Sequence, residues 1–168
     1  PNTLNLACAA MILAVLIGFP AGIISALRKD KLVDNVLTTG AMVGISIPNF
    51  LLGTILIYVF SVVLKLLPSG GMTHFFWTPT GFKQAILPAI ALSTSSVASF
   101  TRIGRSAMLD VLRQDYMTTA KAKGASRKRV IYRHGLRNAM IPIVTAIGMQ
   151  FSLVMTGSAL AETVFSWP

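Results

Sequence analysis

The chain has 168 residues, 54% of them hydrophobic and 12% charged, with a net charge of +10. A soluble domain carries about 25% charged residues, so a water-soluble globule is excluded and an integral membrane protein is expected. The Lys and Arg are bunched between long uncharged runs rather than spread over a surface, the pattern of a topology signal and not of a nucleic-acid interface.

The first residue is Pro1, with no basic region, short apolar run and cleavage site behind it. The chain therefore reads as an internal piece of a longer protein without a signal peptide. Four uncharged runs predict spans at about 4–27, 36–64, 84–101 and 138–161, since a helix needs about 20 mostly apolar residues to cross the hydrocarbon core. None of them alternates apolar with polar as a barrel strand does. Helices, which satisfy their own backbone, are expected throughout. Cys8, the single cysteine, can form neither an internal disulfide nor a metal cluster and is expected to face a neighbouring helix. Each span holds a proline (Pro20, Pro48, Pro88, Pro142) that should kink it. Gly18 with Gly22, and Gly40 with Gly44, have the spacing of close helix contact. The hydroxyl-rich 84–101 run should bond back on itself or across to a neighbour, and so face protein.

The connections orient the bundle. Residues 28–35 hold three Lys or Arg, residues 65–83 two and residues 102–137 ten. Thirteen of the fifteen fall on one side if there are four spans, and positive charge stays cytoplasmic. Both ends of the chain are then external. Phe75, Phe76 and Trp77 in the outer connection suit an interfacial aromatic belt. His74 is placed outside and His134 inside, so they cannot share a metal. The five acids (Asp30, Asp34, Asp110, Asp115, Glu162) avoid mid-span, against a proton relay. Glu162, at the outer end of the last span, is expected to pair with a cation or to neighbour an outer gate.

The basic segment 102–137 is too long for a turn. It predicts a span extended past the membrane, then a short helix that Asp115 can cap and Gly124 stops, then a second helix capped by Ser126. On the short helix Tyr116, Ala120 and Lys123 recur at helical spacing, while Thr119, Ala120 and Ala122 keep it slim. Such a helix can lie in a groove of another protein. The alternative is a solvated basic loop on anionic lipid.

Here the chain resembles the inner-membrane permease subunit of a bacterial ABC importer, in the dipeptide, oligopeptide and nickel group. Permeases of such importers share the motif Glu-Ala-Ala, three residues, Gly, nine residues, Ile-x-Leu-Pro. Gly124, Ala120 and Leu136 fall on its Gly, third position and Leu. Thr118, Thr119, His134 and Arg137 depart from its Glu, first Ala, Ile and Pro. The peptide-importer variant is matched better, in "DYMTTAKAKG" (115–124) and "RHGLRNAMIP" (133–142), with "GISIPNF" (44–50), "ILPAIAL" (86–92) and "ETVFSWP" (162–168) alongside. The resemblance implies an all-α, polytopic transmembrane bundle of the type I importer kind, with cytoplasmic coupling helices. It would lack a preceding helix with its external region, and a last helix. It implies cytoplasmic ATP-binding subunits, a second permease subunit, an extracytoplasmic substrate-binding protein and membrane lipid as partners. Nucleic acid, cofactor, metal and catalytic residues are not expected. Tyr116, Thr119, Ala120, Lys123, Gly124, Ala125 and Ser126 would dock in the ATPase, whose closure on ATP would switch the bundle between inward- and outward-open states. No phosphate-binding glycine loop with Lys-Ser or Lys-Thr is present, so ATP hydrolysis falls to the partner. The substrate (dipeptide, oligopeptide, glutathione or nickel) stays open. The rival readings are a piece of an unrelated channel or secondary carrier, which would need charged or coordinating residues inside the spans, and a membrane anchor, which would not need a polar, proline-kinked bundle.

Overall fold

The computed structural model describes residues 2–71 and 78–167, which contain seven α-helices and no strand. In chain order they are α1 (Asn2–Leu27), α2 (Leu32–Ser46), α3 (Asn49–Ile57), α4 (Pro79–Leu112), α5 (Asp115–Ala122), α6 (Arg127–Arg129) and α7 (Arg137–Phe165). Wide π-helical turns at Tyr58–Val63 and Val130–Leu136 extend α3 and join α6 to α7. Three helical stretches, Thr3–Leu27, Pro79–Leu112 and Arg127–Ser158, are long and apolar enough to cross a membrane. His74, Phe75, Phe76 and Trp77 lie outside the described residues.

The centre of the bundle is α4, which packs against α1, α2, α3 and α7. It starts where the Thr78 hydroxyl accepts the Gly81 N–H at 3.1 Å and Pro79 takes the first helical position, which needs no N–H. Its 34 residues make it about 51 Å long, well beyond a hydrocarbon core of about 30 Å. One end therefore projects.

Glycine sets the α1–α4 distance. A Cβ on Gly18 would lie 2.7 Å from the Val97 carbonyl oxygen, and one on Gly22 2.5 Å from that of Thr101. Beside them the Phe19 and Phe100 rings stack with centroids 4.5 Å apart. The second glycine pair behaves differently. A Cβ on Gly44 would sit in ordinary contact with Ala98 at 3.4 Å, and one on Gly40 would meet nothing within 4 Å.

The hydroxyls of α4 do both things expected of them. Thr94 and Thr101 donate back to Ile90 and Val97 carbonyls at 2.8 Å, while Ser96 accepts from Gln150 at 3.1 Å and Ser95 from Asn49 at 3.3 Å.

The prolines divide. Pro20, Pro88 and Pro142 sit inside continuous helices. Pro48 breaks the 36–64 run into α2 and α3, bent by 94°, where the sequence predicted one kinked span. Proline drives the residue before it out of the helical region, and Ile47 is extended at φ −87°, ψ 119°. Cys8 also departs from expectation. It is exposed, at an apolar groove between α1 and α4 lined by Phe82, Ile86 and Ile90.

At the end of the bundle away from the basic segment, the stretch 162–167 acts as a staple. Glu162, expected to pair with a cation or to neighbour an outer gate, accepts a hydrogen bond from the Thr3 hydroxyl. The Phe165 carbonyl accepts the Gly71 N–H at 2.8 Å. A Cβ on Gly70 (φ +156°) would lie 2.0 Å from that same oxygen, so only glycine fits. Ser166 takes a left-handed conformation and Trp167 folds back to donate its backbone N–H to the Glu162 carbonyl at 2.8 Å.

Candidate functional site

At the projecting end, α4 gives way after Arg113 and Gln114 to α5. Gln114, extended at φ −72°, ψ 146°, is the N-cap residue and makes no side-chain cap. Asp115 is one position further on, in the first turn, where its charge suits the positive end of the helix rather than capping it as the sequence predicted. One side chain anchors the helix. Met117 is fully buried beside Gly135 of the π-helical turn, and Met108 of α4, also fully buried, reaches the same glycine. A Cβ on Gly135 would stand 2.9 Å from Met108 Cε and 3.4 Å from Met117 Cε. Asn138 Nδ2 adds a bond to the Tyr116 hydroxyl at 3.1 Å.

Most of the rest of α5 is open to solvent. Tyr116, Thr118, Thr119, Lys121, Ala122 and Lys123 are exposed and Ala120 is half-buried. The Thr119 hydroxyl is turned onto its own helix, donating to the Asp115 carbonyl at 3.1 Å. The helix ends in a tight left-handed turn. The Lys123, Gly124 and Ala125 N–H groups donate to the Thr119, Lys121 and Ala120 carbonyls at 3.0, 3.0 and 3.2 Å. Gly124 has φ +78°, and a Cβ there would meet nothing within 4 Å, so the backbone and not the space demands glycine. Ser126 then accepts the Arg129 N–H at 3.4 Å and starts the return helix. Tyr116, Thr119, Ala120, Lys123, Gly124, Ala125 and Ser126 thus form one continuous helix-and-turn surface. Between the turn and the end of α1 runs a cleft of about 490 Å³, lined by Ala26, Leu27, Lys121, Ala125 and Arg127 among others.

One cluster was missed by sequence reasoning. Asp34, in the first turn of α2 and outside the 36–64 run, is 2% exposed. Its carboxylate takes both Arg105 Nε and Nη2 at 2.7 Å. It also accepts the Ser25 hydroxyl, the Asp30 N–H at 2.9 Å and the Thr38 hydroxyl at 3.3 Å. The Arg105 guanidinium, against the opposing effect of burial, holds the Asp34 carboxyl well below the usual carboxylate range. Arg105 had been read only as a topology charge, and Asp34 only as an acid outside the spans. The available signal was Arg105 itself, set between Gly104 and Met108 on a face otherwise committed to the core, where a charge needs a partner. Among the described residues no group of three His, Cys, Asp or Glu could hold a metal ion.

These features define a helical, multi-span integral membrane protein with a short helix held outside its apolar body. The chain belongs to the family described as the binding-protein-dependent transport system inner membrane component, whose model matches residues 18–168. It is 43% identical over 171 residues to the oligopeptide transport system permease protein AppB of Bacillus subtilis, covering 100% of this chain and 54% of that protein. It is 42% identical over 189 residues to the di/tripeptide transport system permease protein DppB of Pseudomonas aeruginosa, covering 100% of this chain and 56% of the relative. It is 44% identical over 166 residues to the glutathione transport system permease protein GsiC of Escherichia coli, covering 99% and 52%. The chain spans about half the length of the curated relatives it matches.

Proposed function

We propose that the chain is part of the membrane-spanning permease subunit of an ATP-driven importer and forms part of its translocation path. In this reading the spans are about 4–27, 36–64, 84–101 and 138–161. The bent α2–α3 pair serves as the second, and 28–35 and 102–137 lie in the cytoplasm. ATP hydrolysis belongs to a separate cytoplasmic subunit. A second permease subunit and an extracytoplasmic binding protein complete the assembly. The substrate class is short peptides, glutathione among them, in keeping with the relatives' names.

The observation that carries the reading is α5. A water-exposed helix of eight residues is far below the length at which a helix holds itself together, about 12–15 residues. Here it is pinned by one buried methionine and ended by a left-handed glycine, while Tyr116, Thr119 and Lys123 are exposed. That geometry suits a rigid peg seated in a groove of a partner. The test is co-purification of the ATPase with full-length permease carrying Ala120→Trp, together with ATP hydrolysis stimulated by substrate-loaded binding protein. Bulk on the slim face should weaken both while membrane insertion is normal. Normal association and stimulation would leave the segment a solvated basic loop.

A further inference from the structure

The Asp34 cluster joins three helices and one connection at the basic end. Ser25 comes from the last turns of α1, Asp30 from the α1–α2 connection, Thr38 from α2 and Arg105 from α4. Gly22, one turn before Ser25, adds a close backbone approach: a Cβ there would stand 2.9 Å from Arg105 N. The end of α1, the start of α2 and the middle of the projecting half of α4 are therefore packed as one unit.

The position of that unit on α4 matters. From Arg105 to Leu112, where α4 ends, is about 10 Å of helix, and Met108 between them reaches Gly135 of the π-helical turn, the same glycine beside which Met117 of α5 is buried. From Asp34, α2 runs to the 94° bend at Pro48. A displacement of α5 thus reaches α4 through the π-helical turn on which both pack, and α2 only through the cluster and the packing around it. The form of the contact decides what is passed on. Two parallel N–H···O bonds hold the guanidinium and carboxylate in register and resist rotation as well as separation, which a single-point contact does not. Stability alone is a poor account of the pair, because an apolar pair of similar volume commonly stabilises as well or better.

We propose that Asp34 and Arg105 are positioning residues that make α2 and α4 move as one body when α5 is displaced, so that the displacement arrives at the Pro48 bend. The proposal rests on the reading of α5 as the ATPase-docking helix.

The experiment uses the full-length permease, with Cys8 replaced, assembled with its second permease subunit, ATPase and binding protein. Spin labels at positions 36 and 106, both exposed, report the distance across the joint. Labels at 36 and 50 report the distance across the bend. Between nucleotide-free and ATP-bound states the first distance should hold and the second should change. A 36–106 distance that shifts as much as the 36–50 distance, or a bend that does not move, overturns the proposal. In parallel, Asp34→Asn should cut stimulation by substrate-loaded binding protein about tenfold, within the usual range of coupling between sites. Basal hydrolysis and the amount of bound ATPase should stay unchanged. Arg105→Lys, which keeps the charge without the double bond, should fall between. Wild-type stimulation in Asp34→Asn would also overturn it. Should that variant fail to assemble, the label distances in the intact pair decide alone. An assembly in which the unaltered permease binds no ATPase would instead sink the docking reading.

Discussion

Replacing Gly124 separates backbone strain from bulk, because the two are cleanly divided at this position. The residue has φ +78° and open space where a Cβ would stand, so every cost of substitution is conformational. For an ordinary L-residue that conformation costs about 1–2 kcal/mol, with β-branched valine at the upper end because of its stiff χ1. Asparagine visits it readily. If α5 must keep this turn to be recognised, Ala should lower the population of the competent turn about fivefold and Val about thirtyfold, at 1.4 kcal/mol per factor of ten. Asn should stay near wild type. The assay is retention of the ATPase by full-length variants over a concentration series, with membrane insertion checked separately. The expected order is Gly, Asn, Ala, Val. Equal weakening by all three substitutions would mean that bulk and not backbone matters. Unchanged binding by Val would mean that the turn is not part of the docking surface.

Labelling, packing and anchoring give three further tests. With Cys8 replaced, a single cysteine at position 69 of the full-length protein should react with an impermeant thiol reagent on intact spheroplasts, and one at 126 should not. Labelling at 126 alone would invert the proposed topology. Gly22→Val must push α1 from α4, since its Cβ would lie 2.5 Å from the Thr101 carbonyl oxygen. It should sharply lower the melting temperature in detergent. Gly40→Ala, meeting nothing within 4 Å, should be neutral or gain up to about 1 kcal/mol of helix propensity. A melting temperature equal for the two would contradict the glycine seam. Met117→Ala removes the only fully buried side chain of α5 and should cost about 2–4 kcal/mol locally. Amide exchange across 115–123 should quicken and ATPase retention fall. Exchange at the wild-type rate would show that α5 is held by something other than that methionine.

Much of the fold was legible in the chain because the governing constraint is one-dimensional. A backbone in lipid must bond within its own segment, so uncharged runs translate into helices almost residue for residue, and α1 and α7 fall close to 4–27 and 138–161. Local chemistry was equally readable at Gly124 and Ser126, whose roles depend on neighbours within four residues in the chain. The rest depended on partners far away in sequence. Proline at 20, 88 and 142 sits in continuous helix while Pro48 breaks one. The two glycine pairs share a spacing, yet only Gly18 and Gly22 stand too close to the α4 backbone to admit a Cβ, because α1 is pressed more closely along α4 than α2 is. Asp34 and Arg105 are separated by 71 positions and counted in the sequence as two scattered charges. Their meaning as a buried, bidentate joint exists only once α2 lies beside α4, since a charge in such a place is tolerable only when its partner arrives with it.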